Sequence, residues 1–300
     1  MRRPPSNGPV VIVDSDAVHA HFVADVLEAA GMVTVIVHSV EEAERLAGIT
    51  SATILHDPDR RAVIHDLDPT AAQRRTELAA VIADGAFRAV FQPMVALYKS
   101  EVVGYEALTR FDDGTAPDER FTDATMLGLG AELELATVAA AVAAARALPA
   151  GRFVSINVSP EMLTTHQEEL DVALGDLHHD RLVVLELTEH DVIHDYVSLR
   201  GGLDRFEPKV KLSVDDAGAG FSTLRHVVML EPDYVKLDRS WVTDIHVDPT
   251  RQALVAGLSY SARTTGCELV AEGIESHEER EMLTSLDVSL GQGFLLGRPS

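Results

Sequence analysis

Apolar segments with the lengths of strands and helices alternate over about 230 residues of this chain, and no other feature of the sequence constrains the fold as strongly. In chain order the predicted strands are FRAVFQPMVAL, EVVGYEALTR, RFVSINVS, RLVVLELTEH, KVKLSVDD, DYVKLDR, CELVAEGI and SLGQGFLLG. The first two follow each other directly, and helical segments separate the others. The series predicts an α/β fold, a TIM-type (β/α)8 barrel, whose functional residues lie at the C-terminal ends of the strands. An open doubly wound sheet is the alternative, but the chain lacks the glycine-rich GxGxxG turn of nucleotide-cofactor sites.

The first part of the chain has a shorter version of the same alternation. Strands are predicted in PVVIVDSD, MVTVIVHS and TSATILHD, with helices AVHAHFVADVLEAAG and VEEAERLAG between them, which makes a small βαβαβ segment. Pro58, Pro69 and a cluster of charged residues then interrupt the pattern. We therefore predict an N-terminal segment over residues 1–58, a linker over 59–69 and the barrel over 70–300.

The charge balance and the single cysteine limit the partners and the compartment. Lys and Arg number 25 and Asp and Glu number 48, so the formal net charge is −23, which argues against binding of duplex nucleic acid. An anionic substrate would need local cations, which a metal ion supplies. The one cysteine, Cys267, excludes an intramolecular disulfide and a cysteine zinc cage and favours a reducing, cytoplasmic compartment. No run approaches the roughly 18 apolar residues of a membrane span.

Most of the predicted barrel strands carry a polar residue within or at the end of an apolar run. These residues are Glu106, Asn157, Glu186, Asp215, Asp216, Lys236, Asp238 and Glu272. A buried carboxylate without a partner is costly enough to take up a proton, so each acid needs a hydrogen-bond donor, a cation or a metal. For one isolated acid, capping of the next helix or exposure to solvent explains the charge equally well. Several acids and an asparagine that converge on one face of a barrel with a single lysine favour a functional site.

This set of acids with Asn157 offers oxygen ligands, which are typical of Mg²⁺ or Mn²⁺ rather than of zinc or copper. Two divalent cations that share one aspartate would balance the excess of carboxylates over one ammonium. Lys236 would then orient the attacking water or stabilise developing negative charge. Five histidines are predicted to be surface residues rather than metal ligands: His19, His21, His178, His179 and His190. HEERE from His277 is predicted to be a solvated helix face.

The motifs in these strands resemble those of EAL-domain phosphodiesterases specific for cyclic di-GMP. In family order the chain contains FQPMV, EALTR, NVSP, ELTE, DDAGAGFSTL, VKLDRSWV, AEGIE and GQGFLLGRP. The resemblance implies a TIM-type barrel that hydrolyses one phosphodiester bond of cyclic di-GMP to linear 5'-pGpG by two-metal catalysis. It also implies a homodimer.

The resemblance further implies roles for individual residues. One metal ion would be bound by Glu106, Asn157, Glu186 and Asp215, and the second by Asp216, Glu272 and the shared Asp215. Three residues would be catalytic: Lys236, which orients or deprotonates the nucleophilic water, Glu189, which holds the flexible loop after the aspartate pair, and Asp216. The substrate would contact Gln92, Leu108, Arg110, Asp238 and Gln292, with Arg110 suited to a phosphate oxygen.

One residue of the aspartate loop departs from the family pattern. Ala217 stands where the family has phenylalanine, so the loop that carries both aspartates loses an aromatic anchor. The alternatives to an active enzyme are a barrel that binds cyclic di-GMP as a receptor with little turnover, and a protein-interaction module.

The N-terminal segment resembles the front half of a response-regulator receiver. Asp14 and Asp16 stand in the place of the acidic pair, and Asp57 falls at the phosphoacceptor position. The later strands, which carry the Thr or Ser and the Lys of that family, are absent. A structural or dimer-forming role is therefore favoured over phosphorelay chemistry.

Overall fold

The computed structural model describes the backbone of 10–13, 34–37, 53–56, 63–66, 69–187, 193, 195–206, 210–217 and 221–300. The described residues form two compact units. One contains the residues up to Asp84 together with Asp118–Leu133, and the other contains Gly85–Pro117 and Glu134–Ser300.

The first unit contains a four-stranded sheet. Its strands are β1 (Val10–Val13), β2 (Thr34–Val37), β3 (Thr53–His56) and β4 (Val63–Asp66), in the order β2-β1-β3-β4. The first three strands fall where the sequence predicts them, and β1 pairs in parallel with both β2 and β3. The two predicted helices lie outside the described residues.

Strand β4 lies within the predicted linker, residues 59–69, and pairs antiparallel with β3. Its apolar run is only Val63 and Ile64, too short to indicate a strand. Helices α1 (Pro69–Asp84) and α2 (Pro117–Met126) also belong largely to this unit, and Arg74 of α1 contacts the Asp123 carboxylate of α2 at 2.6 Å.

The second unit is a closed eight-stranded barrel, which confirms the predicted TIM-type architecture. Its strands are β5 (Phe87–Ala96), β6 (Glu101–Phe111), β7 (Phe153–Val158), β8 (Val183–Leu187), β9 (Val210–Ala217), β10 (Tyr234–Leu237), β11 (Glu268–Ala271) and β12 (Leu290–Gly291). Strands β6 to β12 run in parallel, whereas β5 is antiparallel to both neighbours. The connection between β5 and β6 is so short that it can join only antiparallel strands.

The remaining helices alternate with the strands. They are α3 (Gly130–Ala145), α4 (Pro160–Thr164), α5 (Gln167–Leu174), α6 (Leu177–Asp180), α7 (Tyr196–Asp204), α8 (Phe221–Leu230), α9 (Arg239–Val242), α10 (Pro249–Thr265) and α11 (His277–Ser285), with a 3₁₀ turn at Ile245–Val247. Three short helices, α4 to α6, follow one another between β7 and β8, and α5 ends at Gly175 with a positive φ of 52°. In the described part of the chain, no helix has the length and apolar character needed to cross a bilayer.

The solvated face predicted for HEERE is wrong at its centre. Glu279 is buried in α11, where it accepts hydrogen bonds from the backbone N–H groups of Asp244, Glu275 and Ser276, each at 3.0 Å. Ser276 and Glu279 also form a reciprocal capping box at the start of α11. The carboxylate therefore joins the start of this helix to the segment that follows α9.

The barrel interior has two levels. The lower level, here called the apolar floor, consists of Met94, Phe153, Val184, Val270 and Leu290. Gly104 makes room for it, because a Cβ there would lie 2.5 Å from the Phe153 ring. In a strand, side chains two residues apart share a face. Stepping two residues from the floor toward the C-terminal edge of the parallel strands therefore reaches Glu186, Glu272 and Gln292, on the same side of the sheet.

Candidate active site

Lys236 lies at the centre of a buried group of acids. Its Nζ atom is 3.3 Å from Glu106 Oε1, 2.9 Å from Glu186 Oε2, 3.1 Å from Asp215 Oδ2 and 2.7 Å from Glu272 Oε1. The Lys236 side chain is 1% exposed, and those of Glu106 and Glu186 are 7% and 1% exposed. Four carboxylates that lie far apart in the sequence are thus brought to one ammonium by the barrel.

Two amide side chains, those of Gln292 and Asn157, donate to Glu106 from its other side, and a third, that of Gln92, contacts Gln292. Gln292 Nε2 donates to Glu106 Oε2 and, at 2.9 Å, to Gln92 Oε1. Gln92 lies directly opposite Glu106 in the β5–β6 ladder and donates to the Gly297 carbonyl at 3.1 Å. Asn157 Nδ2 lies 3.3 Å from Glu106 Oε1. The predicted residues Gln92, Asn157 and Gln292 therefore belong to the same buried network.

The pKa values show how strongly these charges interact. Burial would lower the pKa of Lys236, but the attraction of the surrounding carboxylates outweighs burial and raises it well above the usual value. Burial would likewise raise the pKa of Glu106, but the Lys236 charge and the hydrogen bonds from Gln292 and Asn157 together lower it. Lys236 is therefore protonated and Glu106 ionised near neutral pH.

The other carboxylates are not fully compensated. Burial raises the pKa of Glu186 well above its usual value, and Lys236 offsets only part of this because the Glu106 and Asp215 charges raise it further. Burial is also the main cause that raises the pKa of Glu272 to about 8, again against the effect of Lys236. One ammonium is too little positive charge for four carboxylates.

These residues fit a divalent cation. Glu106, Glu186 and Asp215 offer carboxylate oxygens that all lie within 4.8 Å of one another. Carboxylate and amide oxygens are the ligands of hard cations such as Mg²⁺ and Mn²⁺, and the surplus negative charge favours one or more of them. Asn157 can turn its amide oxygen toward such an ion by a rotation that exchanges O and N.

A cavity of about 240 Å³ borders the acids. Its wall includes Leu108 and also three residues to which the sequence assigned no role: Arg239, Glu275 and Phe294. For two of them the sequence position could have indicated a place near the site. Arg239 follows Lys236 by three residues, and Glu275 follows Glu272 by three residues, so each lies just beyond the C-terminal end of a strand that carries a site residue.

Other predicted site residues have different surroundings. Arg110 lies on the same face of β6 as Glu106 and Leu108, and its guanidinium donates to the Thr109 carbonyl at 2.7 Å. Asp238 caps α9, since its carboxylate accepts from Ser240 N at 2.9 Å. Contact of these two residues with a substrate stays a prediction.

The aspartate loop is described only in part. The backbones of Asp216 and Ala217 end β9, but the side chain of Asp216 lies outside the described residues. Glu189 lies outside them entirely. Their predicted roles, and those of Asp14, Asp16 and Asp57, are not addressed by the described part of the chain.

The fold and the site together define a class: a TIM-type α/β barrel that carries an acidic candidate metal site at the C-terminal ends of its parallel strands. The sequence model of the EAL domain family matches residues 74–299, and the chain belongs to that family.

Several known proteins are similar to it. The cyclic di-GMP phosphodiesterase RocR of Pseudomonas aeruginosa is 29% identical over 237 residues, which are 72% of this chain and 58% of RocR. An uncharacterised signalling protein of Caulobacter vibrioides is 30% identical over 252 residues, 78% of this chain and 30% of that protein. The structure of Klebsiella pneumoniae BlrP1 in complex with manganese and cyclic di-GMP superposes with a TM-score of 0.63 and 34% identity, over 71% of this chain and 56% of BlrP1. The chain thus spans less than two thirds of each of these relatives.

Proposed function

We propose that this protein is a metal-dependent phosphodiesterase that hydrolyses cyclic di-GMP to linear 5'-pGpG. The observation that carries the proposal is the buried group of Glu106, Glu186 and Asp215, whose carboxylates lie within 4.8 Å of one another around Lys236. The names of its relatives support the substrate, since RocR is a cyclic di-GMP phosphodiesterase and BlrP1 was solved with cyclic di-GMP and manganese.

The cofactor would be two Mg²⁺ or Mn²⁺ ions. Glu106, Asn157, Glu186 and Asp215 would hold one ion, and Asp215, Asp216 and Glu272 the other. When bound, such a pair supplies a hydroxide nucleophile and stabilises the charge on the attacked phosphoryl group. The Gln292 amide would orient Glu106 for this task, and Gln92 would hold Gln292 in place, as outer hydrogen bonds commonly do for a metal ligand.

Lys236 would act as a cation and hydrogen-bond donor. The acids around it raise its pKa, which favours orientation of the nucleophilic water and stabilisation of negative charge over removal of a proton. Its buried position keeps the ammonium at one place relative to the reacting phosphate. Glu189 would hold the loop that carries Asp216.

The substrate would lie in the cavity beside the acids. Gln92, Leu108 and Gln292 belong to its wall, and Arg110 and Asp238 would contact the parts of the dinucleotide nearer its opening. Water would enter one phosphodiester, the P–O3' bond would break, and the product would keep a 5'-phosphate.

Incubation of the purified protein with cyclic di-GMP and Mg²⁺ or Mn²⁺ tests the proposal, with chromatography of the products. We expect pGpG, and none from Glu106→Gln, which keeps the size of the side chain and removes the charge. Tight binding of cyclic di-GMP in calorimetry, without any product in the presence of either metal, would instead identify a receptor. The cause would then be sought in the loop after Asp215, where Ala217 replaces the aromatic anchor.

We further propose a cytoplasmic homodimer. Helix α8 exposes Val228 and Met229, two apolar side chains that a partner subunit would cover. Light scattering after size exclusion measures the mass, and that of a monomer would contradict the dimer. We also propose that an N-terminal segment (1–58) and a barrel (70–300) are joined by residues 59–69, within which β4 pairs with β3.

A further inference from the structure

The cavity beside the acids has a second cation that the metal site does not use. Of the described residues that line it, Lys236 and Arg239 are positively charged. Lys236 is surrounded by four carboxylates within 3.3 Å, so its charge is already compensated. Arg239 is the cation left to meet an anion that enters from solvent.

The position of Arg239 is determined by a glycine. Gly273, which follows Glu272 directly, has a φ of +67°, and a Cβ there would lie 2.5 Å from Cγ of Arg239. The aliphatic part of Arg239 thus packs flat over the backbone next to a predicted metal ligand. A side chain at residue 273 would push the guanidinium away from the cavity wall.

The present partner of Arg239 is exchangeable. Its Nη2 atom is 2.8 Å from Glu275 Oε1, and the two side chains are 57% and 43% exposed. An ion pair this exposed contributes about 0–1 kcal/mol. Within the described residues this is the one ion pair of the guanidinium, whose five N–H groups match the two oxygens of a phosphate.

The size of the cavity places part of the substrate near Arg239. Pockets that enclose a drug-sized ligand measure about 300–1,000 Å³, and this cavity measures about 240 Å³. A cyclic dinucleotide, with two phosphates and two bases, therefore extends beyond it. With one phosphate at the acids, the other phosphate lies toward the exposed rim.

We propose that Arg239 is a substrate-binding residue that contacts the phosphodiester which is not cleaved. The proposal rests on the proposed function, since it takes cyclic di-GMP as the substrate. Arg239 selects for a ligand with a second phosphate and leaves the chemical step to the acids and Lys236.

The test measures the kinetics of Arg239→Met and of the unsubstituted protein with two substrates. The methionine keeps the aliphatic contact with Gly273. The first is cyclic di-GMP and the second is bis(p-nitrophenyl) phosphate, which has one phosphate. With Mn²⁺, we expect the KM for cyclic di-GMP to rise about tenfold with kcat within about twofold, because a charge-assisted contact made equally before and during reaction changes KM. Kinetic constants for the small diester stay unchanged. Arg263 is likewise an exposed arginine in an ion pair, with Asp287, so Arg263→Met is the matched control. It should leave the kinetic constants for both substrates unchanged.

The outcomes separate the two proposals. An unchanged KM for cyclic di-GMP in Arg239→Met overturns the role of Arg239, as does an equal loss with both substrates. If the unsubstituted protein cleaves neither substrate, the proposed hydrolysis is wrong. Calorimetry with cyclic di-GMP and Ca²⁺ then decides on Arg239 alone: a tenfold weaker Kd in the variant supports the contact, and an equal Kd or no binding by either protein overturns it.

Discussion

Replacement of Lys236 by methionine tests the electrostatic account of the site in the metal-free protein. The variant keeps a side chain of similar length and removes the charge that faces four carboxylates at 2.7–3.3 Å. At an effective dielectric constant near 20, one pair of unit charges about 3 Å apart interacts by roughly 5 kcal/mol before desolvation is counted. Removal of one partner of a buried pair costs about 3–5 kcal/mol net, and we expect that loss of unfolding free energy at pH 8.

The loss should be smaller at pH 6. Without Lys236, burial raises the pKa of Glu106 instead of leaving it lowered, and those of Glu186 and Glu272 rise further. At pH values above the usual carboxyl pKa, the folded variant then binds more protons than the unfolded chain does. Its stability is therefore greatest at low pH and falls as pH rises, by about 1.4 kcal/mol per pH unit for each such proton.

Urea denaturation followed by circular dichroism in EDTA at pH 6 and pH 8 measures both effects. Lys99→Met is the matched control, because Lys99 is exposed in the turn between β5 and β6, and it should change stability by less than about 0.5 kcal/mol. A loss below about 1 kcal/mol for Lys236→Met at pH 8, or an equal loss at both pH values, would refute the reasoning.

Three further predictions concern the metal site, its pH dependence and the floor beneath it. Glu106→Gln should lower the rate of cyclic di-GMP hydrolysis by at least about 100-fold while the far-ultraviolet circular dichroism stays unchanged. Replacement of a residue that only hydrogen-bonds a metal ligand already lowers metal affinity or activity by about 10–100-fold, and loss of a ligand should lower it more. The affinity for Mn²⁺ should rise between pH 6.5 and 8.5, since Glu272, with its pKa raised to about 8, must lose a proton to bind a cation; calorimetry in buffers of different ionisation enthalpy measures the proton release. Gly104→Ala should destabilise the barrel by about 1–3 kcal/mol through its clash with the Phe153 ring, and Phe153→Leu should partly restore stability in urea denaturation.

Each of these has an outcome that contradicts it. Full activity of Glu106→Gln would remove that residue from the metal site. An affinity for Mn²⁺ that is flat across the pH range, without proton release, would show that Glu272 is ionised before the ion binds. A Gly104→Ala variant as stable as the unsubstituted protein would mean that the Phe153 ring has room to move.

The barrel and most of its site could be predicted because both follow from local patterns. Apolar runs such as VVLEL and KLSV identify strands, and Glu186 inside the first run or Asp215 directly after the second is conspicuous. Parallel strands then bring their C-terminal ends to one face, so that residues far apart in the chain meet without any further information.

Burial of charged residues outside that pattern could not be predicted. Glu279 lies in a run of charges typical of a solvated helix face, yet backbone N–H groups from two other segments satisfy it in the interior. Strand β4 forms from a run too short to indicate one, because β3 supplies its hydrogen bonds. Both features depend on segments that become adjacent only in the folded protein, so the local sequence does not indicate them.

By itself the sequence determined the α/β class, the order of the barrel strands and the identity of the acids, since these depend on periodicity and residue type. Only the tertiary structure decided how the charges balance. The pKa of Glu106 is lowered and that of Glu186 is raised although both are buried glutamates next to Lys236, because Gln292 and Asn157 donate hydrogen bonds to the first whereas two carboxylates repel the second. The tertiary structure likewise placed Arg239 on the cavity wall, through a glycine that is remote in the chain and adjacent in the fold.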